Sequence, residues 1–262
     1  MQQDNKNPRL AVLIDADNTF KVIPIIDELF EEMSKFGDIS VRRIYADWTS
    51  DHVKQWKPVL PKHAIQPIQQ YANTKGKNAT DSALIIDAMD LLYTAPLDGF
   101  CIVSSDSDFT RLAIRLREAG KFVYGFGENK TPESLRAACN QFVYFEILLQ
   151  EKNVEESSAQ VEATIKPKSD EEQIRLVPIG KKTKQQLAND AKLVSLIRSA
   201  IEGLSDETGF AAMGAVKNHI VKNFSAFDSR NYGYTKFSEL VNAIGLFELD
   251  DQKQKLRDKR KK

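Results

Sequence analysis

Over its first 150 residues the chain alternates short, nearly continuous apolar runs with helical stretches, and this pattern restricts the fold more than any other feature. Arg9–Ile14, Ile39–Ala46, Ala64–Gln69, Gly99–Ser104, Lys121–Phe126 and Phe142–Glu146 read as strands. Phe20–Phe36, Asp51–Val59, Ala79–Tyr93, Asp108–Ala119 and Pro132–Cys139 read as the helices between them. Strands this apolar are buried on both faces, and strands separated by helices of this length form βαβ units. The expectation is an α/β domain over residues 1–150 with a mostly parallel sheet covered on both sides.

The character of the chain changes after residue 150. Residues 151–183 are polar with few aromatics and read as a flexible linker. A second module is expected over residues 184–250, with helices at Gln185–Leu204, Gly209–Lys222 and Tyr234–Ile244 and a short strand at Leu246–Leu249, a winged-helix-like α(+β) unit. Residues 251–262, ending KQKLRDKRKK, read as a basic tail. Lys+Arg and Asp+Glu both total 37, but residues 178–262 carry 16 basic against 10 acidic side chains. That excess suits contact with a polyanion.

The carboxylates of the first domain are arranged at strand ends. Asp15 and Asp17 follow the run Leu10–Ile14, Asp81 opens the helix after Thr80, and Asp106 and Asp108 follow Phe100–Ser104. Ligand sites of open parallel sheets form at the carboxyl ends of the strands, so these acids should converge. Such a cluster repels itself unless cations sit in it, and short hard carboxylates suit Mg²⁺. Asp81 and Asp108 double as residues that favour a helix start, Asp17 is the most dispensable, and Asp15 and Asp106 lack such an alternative role. Asn18 can orient a water or a phosphate, and Ser104, Ser105 and Ser107 can bond the carboxylates or a phosphate. Lys75 and Lys77 flank Gly76 just ahead of Asp81 and can neutralise a polyanion, with Arg42 and Arg43 as weaker candidates. Asp87 and Asp90 should face elsewhere on their helix. No histidine is placed beside these motifs.

Three segments in order, LAVLIDADN, GKNATDSALIIDAMDLL and IVSSDSDFTRLAIRLREAGKFVYGFG, resemble the NYN domain of the LabA-like group within the PIN-like nucleases, over about residues 8–147. The resemblance implies a PIN-like α/β/α sandwich and an endoribonuclease that uses Mg²⁺ or Mn²⁺ and leaves 5′-phosphate and 3′-hydroxyl ends. It maps the metal-holding acids onto Asp15, Asp81, Asp106 and Asp108, with Asn18 beside them in catalysis. NYGYTKFSELVNAIGLFEL is similar to the OST-HTH (LOTUS) domain through Gly233–Tyr234, Lys236–Phe237, Leu240 and Phe247. This implies a module that binds RNA, with Lys236 as a contact, or a protein partner. The candidate RNA contacts are therefore Lys75, Lys77, Ser105 and Lys236.

Two other readings compete. Asp15-Ala16-Asp17-Asn18-Thr19 fits the D-x-D-x-T opening of haloacid-dehalogenase-type phosphatases, with Asp15 as nucleophile, although SSDSDF does not supply that family's later acidic loop. The chain can also be an RNA-binding adaptor that keeps the acids without cleaving. Cys101 and Cys139 lack metal-ligand spacing and give neither a zinc site nor a disulfide framework. With no apolar run near the ~18 residues of a membrane span and a polar start, MQQDNKNPRL, the chain is expected to be cytoplasmic, without membrane contact.

Overall fold

A computed structural model describes residues 7–71, 79–159 and 179–260. The chain divides into two compact units, residues 1–178 and 179–262. The first is built on a six-stranded sheet of β1 (Arg9–Asp15), β2 (Asp38–Ala46), β3 (Gln66–Gln69), β4 (Gly99–Val103), β5 (Phe122–Gly127) and β6 (Gln141–Tyr144). Its order is β3-β2-β1-β4-β5-β6 and every pairing is parallel. The strand order reverses between β1 and β4, which places a crevice at their carboxyl ends.

Among the described residues, six α-helices accompany the sheet: α1 (Ile26–Ser34), α2 (Val59–Lys62), α3 (Ala79–Thr94), α4 (Thr110–Glu118), α5 (Glu133–Ala138) and α6 (Phe145–Ala159). Successive side chains of β1 serve opposite faces. Leu10, Val12 and Ile14 join one core with Ile26, Leu29 and Met33 of α1 and Leu148 of α6. Ala11 and Leu13 are equally buried but lie outside that core. The other face receives α3, which packs against β1 and β2 and buries Leu84, Ala88, Leu91 and Leu92. Phe100 of β4 is fully buried. Phe100→Ala should therefore lower the unfolding free energy by about 3–5 kcal/mol in a denaturant titration.

Several element boundaries differ from the expectation, three of them in the first unit with a clear physical reason or consequence. The stretch expected as one helix from Phe20 runs first as a 3₁₀ turn, Phe20–Ile25, because Pro24 lies inside it and cannot donate to an α-helical ladder. A 3₁₀ turn, Asp51–Trp56, likewise precedes α2. The last helix, α6, starts at Phe145 and continues to Ala159, into the segment expected as linker. Buried Leu148 and the Lys152 ammonium, which reaches the Pro24 carbonyl and lies 3.3 Å from Glu28, hold that helix on the first unit. Most of the expected linker, and Lys75 and Lys77, lie outside the described residues.

The second unit contains α7 (Lys184–Ala188), α8 (Ala191–Leu204), α9 (Met213–Asn223) and α10 (Phe237–Ile244), with the antiparallel sheet β7 (Ala211–Ala212), β9 (Lys255–Asp258), β8 (Phe247–Leu249). Thr183 and Gln186 form a reciprocal capping box at α7. Gly245 ends α10 in the left-handed conformation, φ 75°. The apolar faces of α8 and α10 close the core with Leu256 of β9. Part of the expected basic tail is thus a strand. Leu256 and Asp258 alternate inward from Lys255 and Arg257, and Asp258 is held by Arg198 at 3.0 Å and Arg260 at 2.8 Å. The charge of this stretch conceals its period of two.

Candidate active site

β1 and β4 are paired up to Ile14 and Val103, so Asp15, the last residue of β1, and Ser104 lie side by side just beyond that pairing. Ser104 is fully buried and its backbone N–H donates to the Phe126 carbonyl at 3.0 Å. Gly127 permits this approach, since a Cβ there would meet the Ser104 carbonyl oxygen at 2.8 Å. The Ser104 hydroxyl donates to Asp15 Oδ2 at 2.8 Å and accepts from the Asp106 N–H at 3.1 Å. One serine therefore links the ends of the two central strands.

Asp15 is 1% exposed. Its Oδ2 also accepts from Asn18 Nδ2 at 2.8 Å, and the Thr19 hydroxyl donates to its backbone carbonyl. Asn18, expected to orient water or phosphate, has its amide nitrogen on the Asp15 carboxylate. Asp15 Oδ1 is buried without a hydrogen-bond partner. Burial raises the pKa of Asp15, against the lowering effect of the Asn18 and Ser104 bonds. Asn18→Ala removes one of those donors and should weaken divalent-metal affinity about 10- to 100-fold, as loss of a residue orienting a site carboxylate does, measured by isothermal titration.

Among the described residues, Asp81, Asp106 and Asp108 form a group placed to hold a metal ion, each offering a ligand atom within 4.8 Å of the others. Asp81 arrives on the first turn of α3. The other two arrive on the turn after β4, where Asp108 lies in a first turn as expected but Asp106, expected to have no such role, is the cap. Asp106 is the N-cap of the 3₁₀ turn Ser107–Phe109, its Oδ1 accepting from the Asp108 N–H at 3.0 Å, and Phe109 precedes α4. The short turn before the helix moves the cap two residues upstream. The pKa of Asp81 is pushed up to about 6 by burial, then by the charges of Asp15, Asp106, Asp108 and Asp17. Asp15 lies outside the close trio but is the largest charged contributor to that shift.

Three carboxylates this close, one of them raised by burial and by its acidic neighbours, beside a buried unpartnered oxygen, are hard oxygen donors that a divalent cation such as Mg²⁺ or Mn²⁺ would suit. The other candidates sort by their partners. The Ser105 hydroxyl accepts from the Glu128 N–H at 2.9 Å, which ties this loop to the end of β5. Arg43 is held by Asp87 at 2.5 Å together with the Tyr45 hydroxyl, and Arg42 donates to the His63 carbonyl, so both arginines serve the packing of the sheet. Asp87 thus faces away from the trio, as the helical spacing predicts. Lys236 is exposed at the start of α10 in the second unit. The histidine reading needs a correction: His52 lines a cleft with Asp17. Thirty-five residues of sequence separate the two, so only the side-by-side placement of β1 and β2 reveals it.

The model of the NYN domain matches residues 9–149, more than half of the chain. The chain belongs to the NYN-domain family. These are nuclease-type hydrolases with a PIN-like fold, and the six-stranded parallel sheet flanked by helices agrees with it. The OST-HTH/LOTUS domain matches residues 187–256, the second unit. OST-HTH/LOTUS domains bind RNA. An uncharacterised protein of Methanocaldococcus jannaschii is 28% identical over 122 residues, 45% of this chain and 47% of that protein, so the chain spans about half of that relative's length. A crystal structure of a protein of unknown function from Vibrio parahaemolyticus aligns at a TM-score of 0.47 and 18% identity, over 55% of this chain and 96% of that one. No helix among the described residues is long and apolar enough to cross a membrane.

Proposed function

We propose that the protein is an Mg²⁺- or Mn²⁺-dependent endoribonuclease that holds its substrate partly through the OST-HTH unit and acts in the cytoplasm. The observation that carries this reading is the trio Asp81, Asp106 and Asp108 within 4.8 Å, at the switch point of the sheet in an NYN domain. Asp81, Asp106 and Asp108 would hold the cation, with Asp15 completing the set through its unpartnered oxygen. The cation would supply Lewis acidity, acidifying water and offsetting charge on the phosphoryl oxygens.

The protein's own groups do the positioning. Asn18 and Ser104 fix one oxygen of Asp15 and direct the other. The Ser105–Glu128 bond and the Asp106 cap set the turn that presents Asp106 and Asp108. Lys75 and Lys77, just ahead of Asp81 in the sequence, and Lys236 in the second unit supply charge for the RNA backbone. A phosphatase with Asp15 as nucleophile fits the geometry poorly, because an attacking carboxylate must reach substrate and Asp15 is 1% exposed.

The test is incubation of single-stranded and structured RNA with Mg²⁺, Mn²⁺ or EDTA, using wild type and Asp106→Asn. Cleavage that needs metal and is lost in the variant is expected. Equal cleavage by both proteins, or RNA binding with no cleavage in either metal, would overturn the nuclease reading, and the second outcome would leave an RNA-binding adaptor.

A further inference from the structure

A cleft of about 550 Å³ opens at the carboxyl ends of β1 and β2, lined by Asp17, Phe20, Asp51, His52 and Gln55 over a floor of Val53. It adjoins the carboxylate trio. Asp17 forms its wall on that side and accepts a hydrogen bond from the Thr80 hydroxyl, one residue before Asp81. Asp17 also adds to the charge felt by Asp81. The cleft and the metal-type site therefore share one wall.

Its chemistry excludes a phosphate and suits a base. None of the lining side chains is a lysine or arginine, and two are aspartates. Lys54 pairs with Asp51 at 2.8 Å, but both side chains are mostly exposed. A phosphate would meet net repulsion here. Phe20, in contrast, leaves 43% of its surface exposed at the start of a 3₁₀ turn, where an aromatic ring gains nothing from water. Aromatic faces at the surface are the platforms on which single-stranded nucleic acids stack their bases. A volume of this size accepts a base with its sugar.

We propose that this cleft is a nucleobase subsite of the nuclease, in which a base beside the scissile phosphate stacks on Phe20 while Asp17 and Gln55 read its edge. The inference rests on the ribonuclease reading for what happens next to the cleft, not for what enters it. Guanine matches the lining best. Carboxylates only accept, and guanine offers ring and exocyclic N–H donors along one edge, whereas uracil offers a single N–H between two acceptors. The subsite would bias cleavage toward bonds next to guanosine.

The test uses the full chain and 5′-labelled oligouridylates carrying one central guanosine or none. Binding is read by fluorescence anisotropy in EDTA, and cleavage positions are mapped separately in Mn²⁺. Wild type should bind the guanosine oligomer about tenfold tighter, the worth of one base-edge hydrogen-bond pair made while the base is seated on Phe20. Phe20→Ala and Gln55→Ala should lose that preference, and Phe20→Trp should keep it. Both residues are exposed, so the variants should melt as wild type does. If wild type cuts RNA but neither binding nor cleavage distinguishes guanosine, the subsite is refuted and the nuclease stands. A guanosine preference that survives in Phe20→Ala places the preference elsewhere and also refutes it. A preference lost in Phe20→Ala, in a protein that cuts nothing, keeps the subsite and refutes the nuclease.

Discussion

Asp81→Asn is expected to abolish metal-dependent RNA cleavage while raising the melting temperature of the metal-free protein at neutral pH. The first effect follows from removing one ligand of the trio at the point where it meets the charge of Asp15. The loss should exceed about 100-fold, the upper range for removing a residue that merely orients a metal ligand. The second effect has the opposite sign because the site is built against its own stability. Burial, and after it the charges of four neighbouring carboxylates, raise the pKa of Asp81 to about 6. A neutral amide of the same shape removes that repulsion. In the unfolded chain an aspartate has a pKa of about 3.9. The folded state thus holds the Asp81 proton more tightly, and the associated stability is fully present below about pH 4 and is lost as pH rises through about 6. Melting curves of metal-free wild type should fall across that window, and those of Asp81→Asn should fall less. A variant that melts lower than wild type at pH 7 would contradict this account of the cluster.

Metal affinity should run the other way with pH. A cation competes with the Asp81 proton, so binding releases it below about pH 6. The apparent affinity for Mn²⁺ is expected to fall by about tenfold for each pH unit below that value, the slope of one linked proton. Above pH 7 it should level off. Isothermal titration between pH 5 and 8 in two buffers of different ionisation enthalpy measures both the affinity and the released proton. A flat profile would mean that Asp81 is not a ligand.

The sheet was legible in the sequence because its strands are buried on both faces and leave continuous apolar runs, as in Leu10–Ile14 and Phe100–Val103. The strand-end acids were legible for the same reason, since a carboxylate directly after such a run has few purely structural uses. Boundaries were less so. The 3₁₀ turn around Pro24 shares its apolar spacing with the helix that follows, and the residues of β9 are charged enough to pass for a tail. The cap at Asp106 was misplaced because SSDSD offers several side chains able to cap, and only the backbone path after β4 selects among them.

By itself the sequence determined the parallel α/β class, the two modules and the acids that cluster, because hydrophobic period and chain order carry that information directly. The tertiary structure alone decided how those acids divide their work. Asp15 is buried and braced by Asn18 and Ser104, while Asp81, Asp106 and Asp108 face one another. It also decided that His52 and Phe20 share a cleft with Asp17. Those distinctions depend on distances between segments far apart in the chain, which the parallel crossovers bring together and no local pattern records.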